Sequence, residues 1–307
     1  MSVIGIDTSN YTTSIAFFDG VGGENCSRLL PVKQGELGLR QSDAVFAHTK
    51  SLPELSGRLF SHVQAGSITA VGVSTRPRAV EGSYMPCFLV GYSHAKLLSD
   101  ALHVPLVEVS HQQGHVAASL WSSSRLDLMD QPHLAWHLSG GTTELLLVEP
   151  ENKNVICTKI GGTSDISAGQ LIDRTGQLLQ LPFPSGKHLD ALSKEALRTD
   201  VFKVKCANMT FSLSGVQNKV QQFHDSCGIP SETAAYALRC VAKAVYLATE
   251  QALKAYPGLP VVFSGGVASN SMLRRVTAPL APIFALPQFS TDNAMGVAVL
   301  AHRITEG

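Results

Sequence analysis

Two histidines spaced four residues apart are the first feature of this sequence that could do chemistry. They are His111 and His115, in a segment SHQQGH that follows an apolar run and opens a stretch with helical periodicity. Residues four apart share one face of a helix, so both imidazoles can reach one metal ion. Two of the chain's 11 histidines could also fall four apart by chance on an amphipathic helix. A metal site therefore requires a third ligand from elsewhere.

Asp292 is the residue that could supply this third ligand. It lies in the segment STDN just before another helical stretch, where an aspartate is also a good helix N-cap. Two neutral imidazoles and one carboxylate suit zinc or ferrous iron with open coordination positions. The prediction is a divalent metal, Fe or Zn, held by His111, His115 and Asp292, with helix capping as the alternative role for the carboxylate.

The histidine spacing also matches half of a zinc-protease motif. That motif needs a glutamate directly after the first histidine as its general base. Gln112 stands at that position and cannot take a proton. A metalloprotease activity is therefore disfavoured.

Two glycine-rich turns follow apolar runs, SGGTT at 139–143 and SGGV at 264–267. Glycines let backbone N–H groups approach phosphates closely, although tight turns use glycine anyway. Together the turns predict a nucleotide in a cleft between two related lobes, against Gly140, Gly141, Gly265, Gly266 and Asn270.

The elements that must position these residues include an internal repeat. Residues 3–18 read VIGIDTSNYTTSIAFF and residues 134–148 read LAWHLSGGTTELLLV, each an apolar run, a polar turn, a Thr-Thr pair and a second apolar run. Both patterns predict β-hairpins. Two similar hairpins about half a chain apart indicate two lobes of common ancestry.

Further apolar runs complete an α/β pattern. Strands are predicted at 68–74, 104–109, 155–160, 260–264 and 283–286, and helices at 42–63, 88–103, 165–181, 188–198, 231–256 and 292–304. The serine-rich segment 121–132 is the predicted boundary region. We expect lobes at 1–125 and 126–307, with the last helix packing back on the first lobe.

The composition limits the function classes. The chain has 307 residues, 44% hydrophobic and 16% charged, with 24 basic and 24 acidic residues. This neutral balance means that an RNA substrate would need a local basic patch or a partner protein. The six cysteines form no Cys-x-x-Cys pair, no apolar run approaches a membrane span, and no signal-peptide pattern opens the chain. We expect a cytoplasmic protein that makes no membrane contact.

The motifs, taken in order, resemble the threonylcarbamoyladenosine-forming tRNA transferases, once called glycoproteases. They are SHQQGH, LSGGTT, AGQLIDR, FPSG, SGGVASNSMLR and STDNAM, and they cover nearly the whole chain. The resemblance implies the two-lobed actin-like ATPase fold, shared with sugar kinases and Hsp70, with duplicated lobes and a ligand cleft. It also implies transfer of a threonylcarbamoyl group from its adenylate to an adenine amine of tRNA, in complexes with other proteins.

The resemblance further implies a set of site residues. The metal would be held by His111, His115 and Asp292. The adenine nucleotide, ATP or an acyl-adenylate, would contact residues matching the family's adenylate site, namely Ser139, Gly140, Gly141, Asp173, Gly186, Asp190 and Asn270.

Several positions depart from the family pattern. Tyr11 and Thr12 replace an acidic pair in the first hairpin, Thr142 replaces a histidine, and Gln170 replaces a glutamate. Arg76-Pro77-Arg78 stands where the family has Gly-Pro-Gly. These departures are typical of a divergent paralogue with a preserved ligand pocket.

Four functions therefore remain in view. The first is an active tRNA transferase, and the second is a regulatory paralogue that binds metal and nucleotide without modifying tRNA or that has a different acceptor. A metalloprotease is disfavoured by Gln112. A sugar kinase would need an aspartate base, for which Asp165 and Asp173 are the only residues near a glycine turn.

Overall fold

The computed structural model describes residues 2–9, 11–31 and 39–306, so Asn10 of the first hairpin lies outside the described residues. The strands are β1 (Ser2–Thr8), β2 (Thr12–Phe18), β3 (Gly23–Leu29), β4 (Ile68–Arg76), β5 (Leu106–Ser110), β6 (His133–Leu138), β7 (Thr143–Glu151), β8 (Asn154–Thr163), β9 (Cys206–Ala207), β10 (Thr210–Phe211), β11 (Val261–Ser264) and β12 (Ile283–Phe284). The helices are α1 (Gln41–Phe60), α2 (Phe88–Leu102), α3 (His111–Ser122), α4 (Ala168–Leu178), α5 (Gly186–Ser193), α6 (Ser214–Cys227), α7 (Pro230–Ala255), α8 (Ser271–Thr277) and α9 (Met295–Glu306).

The strands form two mixed sheets, and both predicted hairpins are confirmed. The five-stranded sheet has the order β3-β2-β1-β4-β5, and the seven-stranded sheet has the order β12-β11-β6-β7-β8-β10-β9. In each sheet the hairpin is antiparallel, β1 with β2 and β6 with β7. Parallel neighbours flank each hairpin, β4 beside β1 and β11 beside β6.

The chain divides into two compact units. Unit 1 comprises residues 1–132, 149–157 and 292–307, and unit 2 comprises residues 133–148 and 158–291. The predicted lobe boundary between residues 125 and 126 stays a prediction.

In unit 1 helices pack on both faces of the five-stranded sheet. Side chains alternate along each strand, so neighbouring residues contact helices on opposite faces. Ile4 and Ile6 belong to the hydrophobic cluster formed with α1 and α2. Gly5 and Gly72 point the other way, where an added Cβ at Gly5 would lie 2.6 Å from the Ala294 carbonyl oxygen beside α9. Asp7 has the same parity as Gly5 and therefore lies on the α9 face.

Helices α3 and α9 approach each other very closely. A Cβ added at Gly296 would lie 1.8 Å from the backbone oxygen of Gly114. Only glycine permits such an approach of two helix backbones. This contact fixes the first turn of α3 against the start of α9.

In unit 2 the core lies between the sheet and α7. Trp136 on β6 is fully buried and donates its Nε1–H to Thr249 Oγ1 of α7 at 2.8 Å. Many of the buried α7 residues are alanines, which let neighbouring helices such as α5 and α8 approach it closely. Among residues 2–9, 11–31 and 39–306, the helices include none with the length and apolar character needed to cross a membrane.

Candidate functional site

The start of α3 is fixed by a reciprocal pair of hydrogen bonds. Ser110 Oγ accepts the Gln113 N–H (3.2 Å), and Gln113 Oε1 accepts the Ser110 N–H (2.9 Å). Such a capping box satisfies N–H groups that the first helical turn leaves unpaired. Gln113 also donates its side-chain amide to the Val155 carbonyl (2.8 Å). His111 is thereby held as the first residue of the helix.

The structure brings the three predicted metal ligands together in unit 1. His111 Nε2 lies 2.9 Å from His115 Nε2. Asp292 Oδ1 lies 3.1 Å from His115 Nε2 and 3.6 Å from His111 Nε2. The helical spacing of the histidines is thus confirmed.

Helix capping, the alternative role considered for Asp292, is carried out by the next residue, Asn293. Asn293 Oδ1 accepts the Met295 N–H at the start of α9 (3.1 Å). The carboxylate of Asp292 instead faces the two imidazoles and is partly exposed. Two neighbouring residues therefore have the two roles: Asn293 caps the helix, and Asp292 contacts the histidines.

Asp7 is a member of this cluster that sequence reasoning missed. It is fully buried, and its Oδ1 accepts from Ser74 Oγ and from His111 Nδ1 at 3.0 Å. Its Oδ2 is buried and has no hydrogen-bond partner in the described part of the chain. A carboxylate on Nδ1 of a histidine fixes the tautomer whose Nε2 lone pair points away. The sequence feature that could have revealed Asp7 is the first hairpin. It resembles the second hairpin, which carries the glycine turn, but it has an aspartate in its first strand.

The charges of the cluster shift one another's pKa values. Burial raises the pKa of Asp7, but His111 and Ser74 outweigh it and the net pKa is lowered. Burial lowers the pKa of His111, whereas Asp7 and Asp292 raise it to about 10. Burial also raises the pKa of Asp292, yet both histidines hold it well below its usual range. A metal ion binding here must displace the His111 proton.

The donor set fits a divalent ion. Metal–ligand bonds of about 2.1 Å place two ligand atoms of a tetrahedral ion about 3.4 Å apart. The three donor atoms are separated by 2.9, 3.1 and 3.6 Å. Two imidazoles and one carboxylate leave a further coordination position open. Zinc and ferrous iron both suit this donor set, and the metal stays a prediction.

In unit 2 the structure brings the two glycine turns to one end of the sheet. Gly265 has φ +90°, and a Cβ there would lie 2.1 Å from the Leu138 carbonyl oxygen, directly before the Ser139 turn. Ser167, the N-cap of α4, donates its hydroxyl to the Gly140 carbonyl (2.6 Å). Added Cβ atoms at Gly140 and Gly141 would meet nothing within 4 Å, so these two glycines face open space.

The remaining predicted nucleotide residues form two small groups in unit 2. Asp190 Oδ1 accepts from Asn270 Nδ2 (2.7 Å) and from the Ser271 N–H (3.0 Å). Asp173 on α4 accepts the Ser185 N–H (2.8 Å) just before Gly186, and burial raises the pKa of its carboxyl group. Gly266 follows Gly265, and a Cβ added there would lie 3.9 Å from the Thr291 methyl group, at ordinary van der Waals distance. Binding of a nucleotide by these residues stays a prediction.

The positions that depart from the family pattern have local structural roles. Thr12 is buried, whereas Tyr11 is exposed and its carbonyl accepts the Leu30 N–H (2.8 Å). Gln170 accepts the Ser167 N–H (3.0 Å) and completes a second capping box. Pro77 of the Arg-Pro-Arg segment accepts the Gln112 N–H (3.0 Å), which anchors that segment to the first turn of α3.

Asp165 is poorly suited to be a kinase base. Its carboxylate accepts from Ser212 Oγ (2.5 Å), Ser214 Oγ (2.6 Å) and the Leu213 N–H (2.8 Å). Burial raises its pKa, but these hydrogen bonds lower the net pKa far below the usual range. A carboxylate this weakly basic caps the start of α6 rather than abstracting a proton.

Comparison with known proteins places these features in context. A family profile described as tRNA N6-adenosine threonylcarbamoyltransferase matches residues 36–299. The protein of that name from Carboxydothermus hydrogenoformans is 30% identical over 322 residues, covering 99% of this chain and 93% of the relative. The one from Lactococcus lactis subsp. cremoris strain SK11 is 31% identical over 258 residues, covering 79% and 72%.

Solved structures with the same fold have low sequence identity. Full-length HypF in its phosphate- and nucleotide-bound form has a TM-score of 0.62 at 15% identity, with 100% of this chain and 47% of that chain covered. Component A of (R)-2-hydroxyglutaryl-CoA dehydratase from Acidaminococcus fermentans has a TM-score of 0.59 at 15% identity, with both chains covered in full. A ROK hexokinase from Thermus thermophilus has a TM-score of 0.54 at 14% identity, again with full coverage of both. The predicted actin-like ATPase fold is confirmed.

Proposed function

Since the chain belongs to the tRNA N6-adenosine threonylcarbamoyltransferase family, we propose that it transfers a threonylcarbamoyl group from an acyl-adenylate to an adenine amine of tRNA. One observation carries this proposal. His111, His115 and Asp292 are separated by up to 181 positions in sequence, yet their ligand atoms lie within 4.8 Å of one another. Their arrangement supports a divalent ion at the reaction site.

The residues of unit 1 would hold and orient that ion. A divalent ion at these three ligands would supply positive charge to phosphate and carbonyl oxygens of the acyl-adenylate. Asp7 keeps His111 Nδ1 protonated, so that Nε2 remains available as a ligand (3.0 Å). Iron and zinc both suit this donor set.

The residues of unit 2 would bind the adenylate. The open glycine turn at Gly140 and Gly141 allows close approach of a phosphate or ribose to the backbone. Asp190 is an acceptor already oriented by Asn270 and Ser271, and a carboxylate of this kind can accept ribose hydroxyl protons. Asp173, with its raised pKa, lies beside the turn before Gly186.

A second function is favoured by the first hairpin. Tyr11 and Thr12 leave that turn without the acidic pair of the family, and Thr12 is buried. A chain that binds metal and adenine nucleotide without carrying out transfer would retain both ligand groups described above. This regulatory function, or a different acceptor, is the alternative to tRNA modification.

One experiment separates the two functions. The chain, tagged and isolated from its native cells with any bound partner proteins, is loaded with Zn²⁺ or Fe²⁺ and incubated with threonine, bicarbonate, ATP, an adenylate-forming enzyme and unmodified tRNA. Mass spectrometry of the digested tRNA measures threonylcarbamoyladenosine, and calorimetry measures ATP and AMP binding.

Product formed by the wild type and lost in the Asp292→Asn variant supports the transferase. Nucleotide binding without product supports the regulatory alternative. Absence of both product and nucleotide binding overturns both functions.

We also infer that the protein acts in the cytoplasm, where tRNA is available, and in a hetero-complex. The balance of 24 basic and 24 acidic residues supports a need for partner proteins in RNA binding.

A further inference from the structure

A cavity in unit 2 is lined by three cationic side chains. It measures about 180 Å³ and is bordered by Lys194, Arg239 and Arg275, with Ser193 and Ser271 among its other walls. One water molecule needs only ~15 Å³ on such a measure, so the cavity has room for a tetrahedral oxyanion. Three cations around one small space repel each other unless an anion lies between them.

Arg239, which borders this cavity, has an unmet hydrogen-bond donor. Its Nε donates to the Asp200 carbonyl (2.9 Å), but its Nη2 is buried with no partner in the described part of the chain. A buried donor on a charged group is costly when it is left unpaired. Burial, together with the nearby Arg275, lowers the pKa of the Arg239 guanidinium, although Glu232 and Asp200 partly oppose this.

The two acids that act on Arg239 are engaged elsewhere. Glu232 accepts the backbone N–H groups of Leu197 (2.8 Å) and Arg198 (3.1 Å). Asp200 pairs with Arg198 at 3.3 Å. These contacts leave the positive charge of the cavity only partly balanced.

The other two cations are only weakly held. Lys194 Nζ lies 3.8 Å from Asp190 Oδ2, and Arg275 Nη2 contacts the Met272 sulfur at 2.9 Å. Both side chains are exposed and can turn towards a ligand. The cavity therefore combines one guanidinium, held in place by the Asp200 carbonyl, with two adjustable cations.

We propose that this cavity binds a phosphate group. The planar guanidinium of an arginine matches two phosphate oxygens at once, and the ammonium group of Lys194 can donate to the others. Two sources carry this chemistry, a phosphodiester of bound RNA or the phosphate of a free small molecule. The RNA source rests on the proposed function and would supply the local basic patch that the chain's neutral composition otherwise lacks.

The site is tested directly by calorimetric titration of the full chain with inorganic phosphate. The titration is done at low salt and in the presence of a chelator that removes divalent ions. We expect saturable binding that the Lys194→Gln/Arg275→Gln variant weakens by about tenfold or more, since each charge-assisted hydrogen bond is strong. Arg239→Lys should also weaken it, because lysine keeps the charge but loses the planar fork. The matched control is Lys243→Gln/Lys254→Gln, which removes two exposed cations from α7 outside the cavity.

The RNA source is tested by the salt dependence of tRNA binding. Loss of one phosphate contact should reduce the slope of log K against log salt by about 1 in the cavity variant but not in the control. An unchanged slope with weakened phosphate binding identifies a free phosphate as the ligand. A wild-type chain that binds no phosphate, or a cavity variant that binds it as the control does, overturns the site. Failure of the transferase proposal leaves the phosphate isotherm unaffected, so the two failures are distinguishable.

Discussion

The two hairpins have similar sequences and the same antiparallel pairing, yet their acidic side chains have different partners. In the first hairpin Asp7 pairs with Ser14, and its buried carboxylate contacts His111. In the second hairpin His137 pairs with Glu144, so the acid stands on the returning strand and faces Lys159 at 3.4 Å. The two acids therefore differ in register position and in partner, since Asp7 contacts a predicted metal ligand and Glu144 contacts a lysine.

The proposed difference between the two units would be contradicted most clearly if a histidine of unit 1 were not needed for metal binding. The His115→Ala variant should bind Zn²⁺ more than about 100-fold more weakly, because loss of a ligand exceeds the usual effect of losing a supporting residue. Competition with a chromophoric chelator measures this affinity. The control is His188→Ala, an exposed histidine on α5. Unchanged uptake in the His115→Ala variant would mean that the ion binds elsewhere.

The glycines of unit 2 should differ sharply from one another. Gly265→Ala should reduce the free energy of unfolding of unit 2 by about 2–3 kcal/mol, because it strains a positive φ and contacts the Leu138 carbonyl. Gly141→Ala should change it by less than about 0.5 kcal/mol. Denaturant unfolding followed by Trp136 fluorescence, in a Trp121→Phe background, reports unit 2 alone, since the chain has two tryptophans. Equal effects of the two substitutions would contradict the turn geometry.

The acids of the two hairpins provide the next contrast. Asp7→Asn should weaken Zn²⁺ binding by about tenfold, because His111 loses its orienting carboxylate. Glu144→Gln, the matched change in the second hairpin, should leave Zn²⁺ affinity unaltered. The chelator competition measures both variants. If both variants lower the Zn²⁺ affinity equally, the inference that only the first hairpin supports the metal site is wrong.

The smallest expected effect concerns the two capping boxes. Gln113 is buried and also donates to the Val155 carbonyl, whereas Gln170 is exposed. Gln113→Ala should therefore lower the local stability of α3 by about 1 kcal/mol more than Gln170→Ala lowers that of α4. Amide hydrogen exchange, resolved by peptide, measures each helix separately. An equal loss of protection in both helices would show that the extra hydrogen bond contributes nothing.

Much of the fold was predictable because apolar periodicity was strong. The strand predicted at 68–74 is Ile68–Arg76, and the helix predicted at 231–256 is Pro230–Ala255. Strand β3 was missed because its sequence GENCSRL is polar and largely exposed. Helix α6 was missed because only Val216 and Val220 are buried on it, too few to set a period.

The site was predictable only in part. The spacing of His111 and His115 needs just one helical turn, so it could be recognised locally. Asp7 stands 104 residues from His111 and reaches it only through the strand order β1-β4-β5. The cavity residues Lys194, Arg239 and Arg275 come from three separate segments, and no local pattern links them.

The composition of unit 1 from three chain segments has a consequence for biosynthesis. Asp292 is separated from His115 by 177 residues, and all of unit 2 is translated between them. At 5 to 20 residues per second, the histidine pair waits about 10 to 35 s for its carboxylate. A nascent chain can fold its first hairpin and α3 long before it can complete the ligand trio. The predicted metal site therefore cannot be completed before residue 292 has been synthesised, and a chain truncated before that residue has only two of the three predicted ligands.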